Sequence, residues 1–280
     1  MLHRSSTSSI VLAAALMLAT AGAKAHDEAK YPDWNGQWFR HGSAANVPFD
    51  PAKPLGRGQQ APLTPEYQAK FEASLADQAA GGNGLNAHTA CLPRGMPRIM
   101  NAVYPMEFII LPKTTYILFE DDPPRRIYTD GRDWPGNPEP AFAGYSIGKW
   151  IDEEGNGRYG VLEIETRYMK GPRAYDVSGL PLHEDNQTVL KERIYLDKSN
   201  PDVLHDEIMT IDHALTHPWT VTKNYRRERN PRWFPNDCTE DNHHVTVGKE
   251  DYFVSSDGYL MPVKKDQPPP DLKYFKQSRK

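Results

Sequence analysis

From residue 106 to residue 227 the chain is a succession of short apolar, β-prone runs with no room for helices between them. The runs are Met106–Leu111, Thr115–Glu120, Arg125–Thr129, Gly144–Ile151, Arg158–Met169, Thr188–Leu196, Val203–Ile211 and Trp219–Arg227. Each is rich in Val, Ile, Tyr, Thr or Trp and is bounded by Gly, Pro, Asp or Asn. Parallel neighbours need long crossovers, so these runs are expected to pair antiparallel as a meander. Eight or more such strands avoid exposed edges best by closing on themselves. The expected fold is all-β: an antiparallel meander closed into a barrel, with a two-sheet sandwich as the alternative. A first strand is expected within Asp33–Phe39.

One stretch has the marks of a helix. Thr64 is an N-cap, Pro65 takes the first helical position, Glu66 lies in the first turn, and Gly81 is a plausible stop. Tyr67, Phe71 and Leu75 repeat at i, i+4, i+8, a narrow apolar stripe suited to the outside of a sheet. The segment Cys91–Met100 has two prolines and a glycine within seven residues and reads as a braced loop.

Residues 1–25 read as an export leader. A short polar head with Arg4 precedes an apolar run, and Ala23-Lys24-Ala25 supplies a small-residue cleavage site. Cleavage would leave a domain of residues 26–280 in the periplasm or outside the cell, starting at His26. No other stretch is long and apolar enough to cross a bilayer. The formal net charge is −4, and losing Arg4 and Lys24 makes it more negative. That disfavours nucleic acid as a partner, because phosphate binding needs a basic face. Two cysteines, Cys91 and Cys238, suggest a disulfide in an exported chain; a two-thiolate metal site is the rival.

If the meander alternates its connections between two ends, one end collects the longer loops, residues 130–143, 170–187 and 212–218. A barrel with one tight end and one long-looped end binds at the long-looped mouth. This puts Asp130 and Arg132 in the company of His183, Asp212, His213 and His217. Asp130-Gly131 is a strong hairpin signal, but the following residues 133–140 hold three prolines and cannot start a ladder strand. Asp130 and Arg132 could therefore pair with each other, bind a substrate carboxylate or cap loop backbone. Asp212 beside His213, with His217 four residues on, could form a general base or half a metal site. Alternation turns Glu192 inward among Leu190, Ile194 and Leu196, either as an acid or base with a raised pKa or in an ion pair with an inward basic residue such as Lys223. Asp130, Arg132, His183, Asp212 and His213 are the candidate catalytic residues. Tyr128, Trp134, Glu192, His217 and Trp219 are the candidate ligand contacts. A mature N-terminal His26 with His243 and His244 would suit a copper brace. The chain holds no Gly-x-Ser-x-Gly elbow, phosphate loop, dinucleotide fingerprint or His-Glu-x-x-His. No cofactor and no metal ligand set are assigned.

Two resemblances add to this. Asn35-Gly36-Gln37-Trp38, Thr129–Arg132 and Ile147-Gly148-Lys149-Trp150 resemble the Gly-x-Trp and Thr-Asp signatures of lipocalin-like barrels. That likeness implies that Trp38 packs the base of a barrel. Over nearly the whole mature length, "CLPRGMPRIM", "PMEFII", "IYTDGR", "GYSIGKW", "ERIYLD", "THPWTV" and "DCTEDN" resemble a set of exported proteobacterial proteins. This second likeness implies that Cys91 and Cys238 belong together and brings no activity with it. The functional expectation is binding of a small apolar or aromatic molecule at the barrel mouth, with acid–base conversion of it as an extension. A periplasmic metal-binding protein and an envelope protein without a ligand are the alternatives.

Overall fold

The structure, a computed structural model, describes residues 27–40, 47–234, 238, 243–248, 250–255 and 257–270. The expected leader and His26 lie outside these residues. Nine strands close in chain order into a barrel: β1 (Gln37–Arg40), β2 (Met106–Leu111), β3 (Thr114–Phe119), β4 (Arg125–Tyr128), β5 (Tyr145–Ile151), β6 (Val161–Arg167), β7 (Val189–Leu196), β8 (Val203–Ile211) and β9 (Trp219–Glu228). The expected strands occur within four residues of their places. The helix α1 spans Pro65–Ala79 and begins at Thr64, whose side chain accepts the Tyr67 N–H. A separate three-stranded sheet of β10 (His244–Val247), β11 (Glu250–Val254) and β12 (Leu260–Pro262) was not expected from the sequence. Among the described residues no helix is long and apolar enough to cross a membrane.

One pairing departs from the meander. β4 runs parallel to β5, with Ile127 opposite Ser146 and Tyr128 opposite Ile147, while every other barrel pair is antiparallel. A parallel pair cannot be joined by a hairpin. Residues 129–144 therefore turn back along the outer wall, and Trp134 packs there against Tyr145 and Tyr168. The strand directions then put the chain leaving β4 and the chain leaving β8 at opposite ends of the barrel. The expected meeting of Asp130 and Asp212 at one mouth does not occur.

The end at which β9 finishes is closed by Trp38. The tryptophan is fully buried, and the Arg227 guanidinium lies 4.6 Å from its ring centre. Arg227 also donates to the carbonyls of Asp33 (2.6 Å), Asn35 (3.2 Å) and Pro201 (2.9 Å). Gly36 has φ of +100°, and a Cβ there would sit 2.8 Å from the Glu228 carbonyl oxygen, so the glycine of Gly-x-Trp is sterically required. Trp34, Phe108 and Trp150 complete this aromatic base.

The barrel interior is filled. Ile117, Ile127, Leu162, Leu190, Ile194, Leu204 and Ile208 point inward with no exposure. Four ionisable side chains lie among them. Arg125 forms a two-pronged ion pair with Glu192 and donates to Thr166 (2.9 Å). Glu192 is thus inward, as alternation implies, but its partner is Arg125 and not Lys223. Asp206 and Lys223 face one another across β8 and β9. Burial and the nearby Glu192 push the Asp206 carboxyl up; burial pushes Lys223 down to about 7. Residues 96–102 enter the mouth above these groups. Tyr225 donates to the Met100 carbonyl (2.6 Å), and Lys223 donates to Asn101 Oδ1 (2.8 Å) and the Phe49 carbonyl (2.5 Å).

Removing one partner of a buried ion pair strands the other. Glu192→Gln is expected to destabilise the protein by about 3–5 kcal/mol, and the Arg125→Met/Glu192→Leu double variant to recover most of that loss. Urea denaturation of the three proteins measures both effects.

Candidate functional site

Three segments converge at the end opposite Trp38. The first is the approach to α1: Thr64 N–H donates to the Ala214 carbonyl (2.8 Å) and Thr216 N–H to the Pro62 carbonyl (2.7 Å). The second is the β6–β7 connection, residues 168–188, on which α1 lies through buried Tyr67 and Phe71 and a Ser74 hydroxyl donated to the Ser178 carbonyl (3.2 Å). The third is the β8–β9 connection, residues 212–218. Asp212 joins the last two. It is buried; its Oδ1 accepts the N–H of His183 (2.9 Å) and of Ala214 (2.8 Å), and its Oδ2 accepts the Thr188 hydroxyl. Thr188 in turn accepts from Arg173 (2.8 Å). With its oxygens used this way, Asp212 organises backbone and does not serve His213 as a base.

That place is taken by Asp185, which sequence reading missed. Its Oδ2 lies 2.5 Å from His213 Nδ1, and this hydrogen bond raises the pKa of His213. Its Oδ1 lies 3.0 Å from His183 Nδ1, and its own N–H reaches the same nitrogen at 3.1 Å. The His183 ring packs between Tyr67 (5.0 Å) and His213 (5.6 Å). The ligand-type atoms of His183, Asp185 and His213 all lie within 4.8 Å of one another. The signal available in the sequence was the spacing His183-Glu-Asp185, but only the fold supplies His213.

Beside this cluster α1 and residues 83–92, 171–173 and 181–186 wall a cleft of about 890 Å³. Leu85, Leu92, Pro172, Pro181 and Leu182 form apolar wall; Lys70, Asp77, Arg173, Glu184 and Asp251 bring charge, and His183 an imidazole. Arg173 is buried, and desolvation lowers its pKa against the pull of Asp212. The far wall is anchored by the Cys91–Cys238 disulfide, with a Cα–Cα distance of 5.5 Å. Asn83 donates to Asp251 of β11 (2.6 Å), joining that wall to the small sheet.

The other sequence candidates are placed elsewhere or differently. Asp130 and Arg132 pair with each other on the outer surface (2.7 and 2.8 Å), and the guanidinium lies 3.7 Å from the Tyr128 ring centre. The hydrogen bond from Arg132 holds Asp130 at about 2. Gly131, with φ of +75°, makes the turn between them. Tyr128 stacks on Tyr145 beside a smaller cavity of about 390 Å³. Glu192 is sealed in the interior. Trp219 packs on Phe49 and Tyr175 at 5.2 Å from each, and His217 is exposed beside Thr216. His26 lies outside the described residues, and the His244 ring packs on Phe253. Comparison with protein-family models, curated proteins and solved structures gives no match for this chain.

Asp212→Ala leaves buried donors without acceptors, which costs about 1–3 kcal/mol each at most. Amide hydrogen exchange at His183 and Ala214 is expected to accelerate selectively, while the β2–β3 amides keep their protection.

Proposed function

We propose that the protein is an exported carrier or receptor of a small, largely apolar molecule held in the cleft beside α1. The carrying observation is the cleft itself: about 890 Å³, with mostly apolar walls and a few charged groups at defined places. Sites for small molecules fall in the range of roughly 300–1,000 Å³ with this mixture of surfaces. The site is moved from the one expected on the sequence. A ligand inside the barrel would have to displace Met100, Tyr225 and the Arg125–Glu192 pair, whereas the cleft lies above that plug and opens to solvent. The Cys91–Cys238 bridge fits a compartment outside the reducing cytoplasm, and periplasmic location is part of the same proposal. Lys70 and Arg173, with Asp77, Glu184 and Asp251 on the same walls, favour a ligand with one polar end. Acid–base conversion by Asp130, Arg132 and Asp212 is not part of this reading. The first two neutralise each other away from the cleft, and the third is occupied by backbone.

Untargeted mass spectrometry of small molecules retained by the mature protein tests the reading, together with Ala73→Trp. Ala73 is an exposed α1 residue on the cleft wall, so the substitution fills the cleft without touching the core. Retention of a discrete apolar compound, lost in Ala73→Trp, is expected. The reading is dropped if nothing is retained and an apolar naphthalene-sulfonate dye binds both proteins equally.

A further inference from the structure

We propose that His183, Asp185 and His213 form a binding site for a divalent first-row transition-metal ion at the rim of the cleft. The proposal does not depend on what the cleft holds. Two imidazoles and one carboxylate are a borderline-to-hard set that suits zinc and its neighbours better than magnesium or calcium, which select oxygen. The three donor atoms already lie within 4.8 Å of one another. Tetrahedral coordination with metal–ligand bonds of about 2.0–2.2 Å needs ligand atoms roughly 3.4 Å apart, which small side-chain rotations reach.

His183 Nδ1 accepts the Asp185 N–H (3.1 Å) and lies 3.0 Å from Asp185 Oδ1, so one turn of the chain already brings an imidazole nitrogen and a carboxylate oxygen together.

The ligands are also positioned by groups that do not bind. Asp212 fixes the backbone of His183 and of Ala214, next to His213, from one carboxylate oxygen. Tyr67 packs against the His183 ring and its hydroxyl accepts the Glu184 N–H (3.3 Å). Such outer partners set ligand orientation in metal sites. The His213 side chain is 69% exposed, which gives the ion a path from solvent. Three protein ligands leave a fourth position open, the pattern of sites that bind water or a ligand atom.

The test is calorimetric titration of zinc into the chelator-stripped, disulfide-bonded mature protein. His213→Ala, Asp185→Asn and the neighbouring control His217→Ala are titrated in parallel, with circular dichroism confirming the fold of each. One zinc per chain is expected for the wild type and for His217→Ala. His213→Ala and Asp185→Asn should bind more than about tenfold more weakly, since lost outer partners alone cost roughly 10–100-fold. Absence of zinc binding below millimolar concentration overturns the proposal. So does stoichiometric binding that neither triad variant weakens, which would place the zinc elsewhere on the chain.

Discussion

The structure turns on four ionisable groups sealed inside the barrel. Arg125 is 1% exposed and Glu192 3%, and Asp206 and Lys223 are their neighbours. Charges in such a place persist only when paired and hydrogen-bonded. The strands supply part of this, through the Arg125–Glu192 pair and the Thr166 and Ser146 hydroxyls. Most of the remainder comes from outside the strands, and Asp206 Oδ1 is left without a hydrogen-bond partner among the described residues. The Met100 and Phe49 carbonyls and the Asn101 side chain reach in and satisfy Tyr225 and Lys223. The polar interior thus recruits residues 96–102 and the chain at Phe49 as a plug. A barrel whose mouth is filled to satisfy its own charges cannot also be an open cup. Open space is left instead on surfaces made by the longer connections.

The two ends are built from different physics. At one, Trp38 and Arg227 close the base by stacking and by guanidinium bonds to carbonyls, with Trp34, Phe108 and Trp150 filling around them. That end is made of aromatic area. At the other, one carboxylate, Asp212, holds three backbone or hydroxyl donors from two connections. This arrangement depends on few bonds, and each can be weakened alone. The parallel β4–β5 pair adds to the asymmetry. It turns residues 129–144 back along the outer wall, so the Asp130–Arg132 pair braces a surface turn far from the groups it was expected to join.

Much of this was legible in the residues. Strand positions followed from β-branched and aromatic runs, α1 from Thr64 and Pro65, the inward face of Glu192 from alternation, and the burial of Trp38 from Gly-x-Trp. What escaped has a common cause. Alternation tells which face a side chain takes but not the direction of the neighbouring strand, so the parallel pairing was invisible and the company of Asp130 was wrong. Nor does it tell which inward partner is nearest: Lys223 and Arg125 both fit Glu192, and only the shear of the barrel selects Arg125. Asp212 next to His213 looked like an acid–base pair because the two are adjacent in the chain. The working partner, Asp185, comes from another loop 28 residues away. The strands β10–β12 are three to five residues long, so no periodic signal marked them.

The disulfide bears on function more than on the barrel. Cys91 and Cys238 are separated by 147 residues, and closing so long a loop stabilises by roughly 5 kcal/mol on the chain-entropy model. Yet the barrel closes through its own ladders, with β1 meeting both β2 and β9, and the bridge crosses none of them. What it fixes directly is the end of residues 83–92, a segment with little regular structure of its own that forms one wall of the cleft. The opposite wall is α1, held by its apolar stripe and by the pairing of Leu63 with Leu215. One wall is therefore held by packing, and the other by the disulfide together with hydrogen bonds that link Gly84 to Asp77, Leu85 to Ser74, Asn86 to Arg98 and Asn83 to Asp251, so both sides of the candidate site keep non-covalent support.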